Sequence, residues 1–476
     1  MTGNRFGARR LLPLFLIPIG LAVYLYALRA PFVYDDRMYI TDNLQIKNLW
    51  NFANLSGTRY LGFLSFALNY RFSGLTPFDF HLVNVVIHIV NSYLVFELVN
   101  CLFDALSLKG FIVPSKNNKP HLSAAAGFGV ALVFLVHPIQ TQAVTYVTQR
   151  FTSLAVLFYL ASIVFYVKAR LRAASGGSGY GGAWGLVMYA ASIISAVFAM
   201  KTKEISFTLP FAITMCEVMF FSAGSGGHKR FIRLIPFYFL LLIIPLTLLA
   251  QGAAQYGSSI DDITDELRKL QLSEASELSR VEYFLTEFSV IVTYIRLLFA
   301  PIGQSIDYYY PFSKSFFEVR VYLPFFALLA LLLSALYVLR RSYASKNSFG
   351  ALYSFGIFWF FLTLSVESSV IPIQDAIFEH RVYLPSVGFI TAFAGVVFYA
   401  SSKALQWLGR LVNPVAVGAV FLVLAALPLS VAAFERNFIW TDEFLLLGDA
   451  IAKNPLKARL YYARGIVNIY AEMNRP

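Results

Sequence analysis

PFVYDDRMYITDN, residues 31 to 43, begins where an apolar run from Leu11 to Leu28 stops. It places two adjacent carboxylates, Asp35 and Asp36, within a few residues of a stretch long enough to cross a bilayer, flanked by Phe32, Tyr34 and Tyr39. Carboxylates so close to lipid are either a solvated acidic loop or the reacting groups of a site at the membrane surface. Taken alone, the pair favours the solvated loop. The positions of the other polar clusters decide how much weight the reacting-group reading carries.

Working outward, the chain has 476 residues, of which 58% are hydrophobic and 13% charged, with a mean hydropathy of +0.65. A soluble domain carries nearly twice that charged fraction, so the expected fold class is an all-α polytopic membrane protein. An aromatic content of 17% fits, since Tyr and Trp favour the membrane interface. Cys101 and Cys216 both lie in apolar runs and read as core thiols, not a disulfide framework. Arg5, Arg9 and Arg10 precede the first apolar run, but no small-residue cleavage site follows it. That run is therefore expected to be an uncleaved first span.

Apolar runs of spanning length lie at about 11–29, 81–103, 123–137, 152–169, 184–201, 205–222, 232–250, 321–339, 350–366, 384–400 and 414–432, about eleven transmembrane helices in all. A further run, Tyr283 to Phe299, carries Glu287 and Arg296. With a cytoplasmic N-terminus, the inner loops hold Lys109, Lys116 and Lys119, then Lys168, Arg170 and Arg172, then Lys229, Arg230 and Arg233. Arg340, Arg341, Lys346, Lys403 and Arg410 join them only if 283–299 does not cross, which makes that run an interfacial or re-entrant helix on the outer face. The outer face then holds residues 30–80, 138–151, the turn Met200 to Glu204, 251–320, 367–383 and everything after about Glu435. The expected domains are 1–434 as the membrane region, with 251–320 as an extracytoplasmic loop inside it, and 435–476 as an extracytoplasmic C-terminal segment.

Nearly all polar residues that are not topology charge fall on that outer face. The inner loops contain glycine-rich linkers, SGGSGYGG at 175–182 and SAGSGG at 222–227, and no phosphate-binding glycine loop follows a strand. Neither a nucleotide nor nucleic acid is an expected partner. His137 opens a segment with Gln140, Gln142, Gln149 and Arg150, which is either a proline-stopped helix end with its amides satisfying backbone groups, or part of a site. Lys201, Lys203 and Glu204 sit in a short outer turn, where two ammonium groups violate the positive-inside tendency and argue for a bound anion. Glu379, His380 and Arg381 precede the span at 384, and with Glu367 and Asp375 they share the side of Asp35. They are either surface ion pairs or one polar cavity. His81, Asn84, His88 and Asn91 recur at helical spacing and read as a stripe facing the bundle interior. Asp307 to Tyr310, DYYY, is either an aromatic belt or a sugar-stacking platform.

These parts suit transfer of a group from a lipid-linked phosphate donor to a hydroxyl, with a carboxylate taking the acceptor proton and cations holding the departing phosphate. A transporter or flippase binding a charged solute, and a non-catalytic membrane scaffold, are the alternatives.

The segments FVYDDRMYITDN, FHLVNVVIHIVNSYLVF, HPIQTQAVTYVTQR, KTKEISFTLP, FLTEFSVIVTYIRLLF with QSIDYYYP, and SVESSVIPIQDAIFEHRVYLPSVGF together resemble bacterial tetratricopeptide-repeat membrane proteins. Those are similar to the eukaryotic transmembrane and tetratricopeptide-repeat O-mannosyltransferases, and the likeness runs over nearly the whole chain. The resemblance implies a C-type glycosyltransferase bundle that uses a polyprenyl-phosphate sugar, such as mannose, in a bacterial inner membrane. It implies Asp35 or Asp36 as base and inversion by single displacement. Arg150, Lys201, Lys203, His380 and Arg381 match recurrent polar positions, and their charge and side suggest donor-phosphate binding. Tyr34, His81, His137, Gln149, Glu204, Asp307, Glu367 and Glu379 are expected to line the site. No cofactor is expected: the two carboxylates could hold a divalent ion, but the resemblance favours none. Ala458 to Met473 looks like the first helix of a tetratricopeptide unit, so the chain is expected to be either truncated or a member without repeats, with a protein acceptor correspondingly less certain.

Overall fold

The computed structural model describes residues 9, 11–111, 121–176, 182–221, 227–256, 279–369, 371–373, 375–410 and 412–473. Most of both glycine-rich linkers, and 257–278 of the long outer loop, lie outside these residues. Every element among the described residues is a helix.

Among the described residues, eight helices are long and apolar enough to cross a membrane: Pro77–Leu108, Val147–Ala174, Ala183–Met200, Glu204–Phe221, Ile232–Ala250, Val319–Ser345, Pro385–Trp407 and Pro414–Ile439. A ninth arises if Leu122–Val136 and Pro138–Thr145, bent by 54° at their junction, form one span. The expected eleven is therefore not reached by length. The remaining two apolar runs form the shorter helices Leu12–Val23 and Ser348–Leu364. The bend has a local cause. Pro138 cannot continue the helix, and the His137 ring accepts the Ile139 N–H at 3.2 Å, capping the next turn.

Long-range polar contacts sort the loops into two ends of the bundle. At one end Arg9 pairs with Asp104 at 2.7 Å, Lys109 donates to the Met219 carbonyl at 2.9 Å, and Tyr343 donates to that same carbonyl. At the other, Arg37 pairs with Glu443, Arg59 with Glu204, Lys203 with Glu367, and Arg459 with Asp307 and Asp375. The segment around Tyr343 thus shares an end with Met219. The helix Arg280–Phe299 touches the second group at its start and the His137 bend at its end. Tyr283 donates to the Glu367 carbonyl at 3.2 Å, and the Leu298 carbonyl accepts from His137 at 3.0 Å.

Within the bundle, small residues let backbones touch. A Cβ at Gly356 would lie 2.3 Å from the Gly388 carbonyl oxygen, so Ser348–Leu364 and Pro385–Trp407 cross in direct backbone contact. The polar stripe on Pro77–Leu108 is interior, as its spacing suggests. Asn84 donates to the Val144 carbonyl, Asn91 to the Ser153 carbonyl, and His88 faces Tyr383 at 2.7 Å. Cys101 and Cys216 are free and buried.

The C-terminal segment packs on the bundle. Ala458–Met473 is a helix, but it is not left to bury its apolar side alone. It pairs with Glu443–Lys453, and Leu446, Leu447, Ala450, Leu460 and Val467 form one core with Ala30, Val33, Tyr146 and Ile306.

Candidate active site

The acidic loop leaves the first helix in extended conformation at Ala30 and turns sharply at Tyr34, whose φ of 48° is a left-handed geometry that non-glycine residues rarely adopt. That turn sends the two carboxylates opposite ways. Asp36 is fully buried and accepts three hydrogen bonds, from the Val33 N–H at 3.1 Å, the Thr148 N–H at 2.7 Å and the Thr148 hydroxyl at 2.5 Å. Burial pushes its carboxyl up to about 7, against the pull of those donors. Asp35 is exposed; its N–H donates to the Tyr146 hydroxyl at 2.9 Å, and its carboxylate makes no ion pair among the described residues.

A single helix turn connects this loop to the cations. Thr148 is held by Asp36, and Thr152, four residues on, accepts from the Lys203 ammonium at 2.9 Å. The two anchor points are about 6 Å apart along the axis. Lys203 also pairs with Glu367 at 2.7 Å, and Gln149 accepts from Thr152 at 3.1 Å. Beside Lys203, Arg59 is bound to Glu204 at 3.2 Å. Arg59, Lys201, Lys203 and Glu204 line a small pocket that adjoins a cleft of about 500 Å³. The cleft runs between the Gln45–Gly57 loop and Ile243, Leu246, Thr247 and Ala250, with Lys201 at its head donating to Thr247 at 2.9 Å. An ammonium above an apolar trough suits an amphiphile with an anionic head.

Other expected site residues prove to be occupied. Arg150 is fully buried. It donates to Asn84 at 2.6 Å and to the Phe80 carbonyl at 2.7 Å, with its guanidinium 4.6 Å from the Phe66 ring centre. It braces helices and does not reach toward a phosphate. Arg381 is spent on the Ala376 and Asp375 carbonyls, each at 2.8 Å, and so shapes its own loop. Glu379 accepts from Gln304, the Ser305 N–H and Tyr308, pinning the 304–308 loop. This ties down Tyr308, while the Tyr309 N–H donates to Asn454 at 3.0 Å, so DYYY is largely built into the scaffold. His137 caps a helix, and His81 is buried at the start of its span against the Ala30–Pro31 backbone.

His380 changes character. The Gln142 amide donates to the Ile306 carbonyl, so its oxygen is the atom that faces His380, accepting the backbone N–H at 2.9 Å and the ring at 3.2 Å. Nδ1 therefore carries the ring proton. Burial, with Lys203, Arg381 and Arg59 nearby, holds the imidazole well below its usual pKa. A neutral ring protonated at Nδ1 presents an acceptor at Nε2, which fits a hydroxyl and not a phosphate.

Four contributors escaped the sequence reading. Arg59 carried the same signal as the lysines, a basic residue in an outer loop. Thr148 and Tyr146 carried none, since their role lies in where the acidic loop packs. Glu287 was noted only for topology, yet it is 2% exposed beside Glu367 and Arg381, with burial raising its carboxyl to about 7. Among the described residues, no group of three or more His, Cys, Asp or Glu side chains is placed to hold a metal ion.

No protein-family model matches the chain. Over 195 residues, 37% of this chain and 25% of the relative, it is 32% identical to the human protein O-mannosyl-transferase TMTC4. It is 30% identical over 217 residues to protein O-mannosyl-transferase Tmtc1 of Drosophila melanogaster, covering 42% of this chain and 22% of that protein. Over 98% of its length it aligns at 22% identity with protein O-mannosyl-transferase F38B6.6 of Caenorhabditis elegans, covering 61% of it. The chain thus spans less than two thirds of each of these proteins. All three are protein O-mannosyl-transferases, the group of proteins that its motifs resemble.

Proposed function

We propose that the chain is a glycosyltransferase that moves a sugar, mannose by analogy with its relatives, from a polyprenyl phosphate to a hydroxyl of a protein acceptor on the extracytoplasmic face. One observation carries this reading. Asp35, an exposed carboxylate with no ion pair among the described residues, stands beside its buried neighbour Asp36, whose seat at Thr148 is one helix turn from the Thr152 seat of Lys203, in a pocket that adjoins the apolar cleft headed by Lys201. Asp35 takes the proton of the acceptor hydroxyl as its oxygen attacks the anomeric carbon. The bond from that carbon to the phosphate oxygen breaks with its electron pair leaving on the polyprenyl phosphate, so configuration inverts. Lys201, Lys203 and Arg59 offset the charge that grows on the leaving phosphate. Asp36 keeps the loop in place, and His380 Nε2 accepts from a hydroxyl of the bound sugar.

The test is transfer by purified protein in nanodiscs supplied with radiolabelled polyprenyl-phosphate mannose and an acceptor lysate, comparing wild type with Asp35→Asn. Transfer, or slow donor hydrolysis, that disappears in the variant supports the assignment. Donor that binds and is never consumed by either protein overturns it and leaves a lipid-binding scaffold.

A further inference from the structure

The C-terminal helix pair meets the acidic loop through charge as well as through apolar packing. Lys457 lies 2.7 Å from Asp375 and 3.4 Å from Asp307, while Arg459 lies 2.8 Å from Asp307 and 2.9 Å from Asp375. Asp307 is 1% exposed, so this is not a loose surface pairing. A buried carboxylate stripped of its cations would stand as an uncompensated charge. The same pair is fastened at two further points. Arg37, two residues after Asp35, pairs with Glu443 at 2.7 Å, and Lys453 and Asn454 hold the Gln304 carbonyl and the Ser305 hydroxyl. Tyr34 lies between these fastenings. Its neighbours in charge are Asp307, Arg459, Glu443 and Asp35, and its buried hydroxyl has no hydrogen-bond partner among the described residues. Tyr34 is also the residue in left-handed backbone geometry, a conformation that persists only where its surroundings impose it.

We infer that Arg459, with Lys457, is a positioning residue of the acidic loop. By neutralising Asp307 and Asp375, it seats the C-terminal helix pair against Tyr34 and so fixes the direction in which Asp35 points. On this inference, which rests on the transfer reaction proposed above, the helix pair is a working part of the site and not a passive appendage of the bundle. Arg459 acts through Asp307 and Tyr34; it touches neither the donor nor the acceptor in the scheme.

Two readouts test it on the whole chain in nanodiscs: hydrogen exchange at the amides of 35–37, and the split between kcat and the KM for polyprenyl-phosphate mannose. Arg459→Gln is expected to speed exchange at those amides at least tenfold and to lower kcat about tenfold, with KM unchanged. Adding Asp307→Asn removes the stranded charge and is expected to return both readouts most of the way, and Arg459→Lys to preserve them. Exchange in Arg459→Gln equal to wild type overturns the inference, whatever the activity. So does a double variant no better than Arg459→Gln, which would mark a general loss of structure. If the wild type transfers no sugar, the proposed reaction fails, while the exchange readout still decides whether the helix pair holds the loop.

Discussion

The two ends of this bundle handle charge differently. At the end near Met219, Arg170 and Glu217 form a buried pair at 2.7 Å, completed by the Tyr166 hydroxyl, with the guanidinium Nε and Nη2 on the two carboxylate oxygens. At the end near Lys203, segments hundreds of residues apart converge, and two groups are left incompletely matched among the described residues: Asp35 exposed with no ion pair, and Tyr34 strained with a bare hydroxyl. Groups left short of partners in a membrane protein are costly unless they have work to do. The contrast separates a strut from a site.

That contrast can be broken by mutation. Asp35→Asn is expected to lower transfer by about 10²- to 10⁴-fold, the range for losing a general base, with little change in thermal unfolding. At the other end Glu217→Leu should cost about 3–5 kcal/mol, because it strands Arg170 inside the protein. Arg170→Met in the same chain should recover most of that loss, with turnover per folded molecule unchanged; a transfer defect in the double variant would mean that the strut is part of the site. A smaller effect is expected at the cleft. Lys201→Gln should raise the KM for the lipid donor about tenfold while kcat falls less, read from initial rates at varied donor.

The effect that depends on pH concerns Asp36. Its folded pKa of about 7 lies above the ordinary 3.8, so between those values folding takes up a proton. The stabilisation is complete below about pH 4 and is lost as pH rises through 7, at no more than about 1.4 kcal/mol per pH unit. Melting temperature against pH should therefore fall over that window in wild type, and the slope attributable to this group should be absent in Asp36→Asn. An unchanged slope would mean that Asp36 is ionised when buried.

Much of this arrangement could be read in the sequence, and the limits have physical causes. The grouping of loops at two ends of the bundle was legible because a few lysines and arginines were read by the membrane's charge rule, against which Lys201 and Lys203 stood out. The polar stripe from His81 to Asn91 was legible because helical spacing fixes a shared face. The division of labour between Asp35 and Asp36 was not, since it depends on a left-handed turn at Tyr34 and on Thr148 from another segment. Arg150 looked like Lys203 on paper; a buried brace and a cation beside a pocket carry the same charge and differ only in what encloses them. The docking of the last two helices was hidden for the same reason, because the residues that cover their apolar side, such as Val33 and Ile306, lie far away in the chain.

The turn from Thr148 to Thr152 has a mechanical consequence. It heads a helix of 28 residues, Val147–Ala174, that runs through the middle of the bundle, so the seat of the acidic loop and the seat of Lys203 belong to one stiff rod. Bilayers differ in thickness, and spanning helices answer by tilting. Tilting this rod carries both seats along together, so on the proposed reaction the gap between proton acceptor and leaving group would stay the same from one membrane to the next.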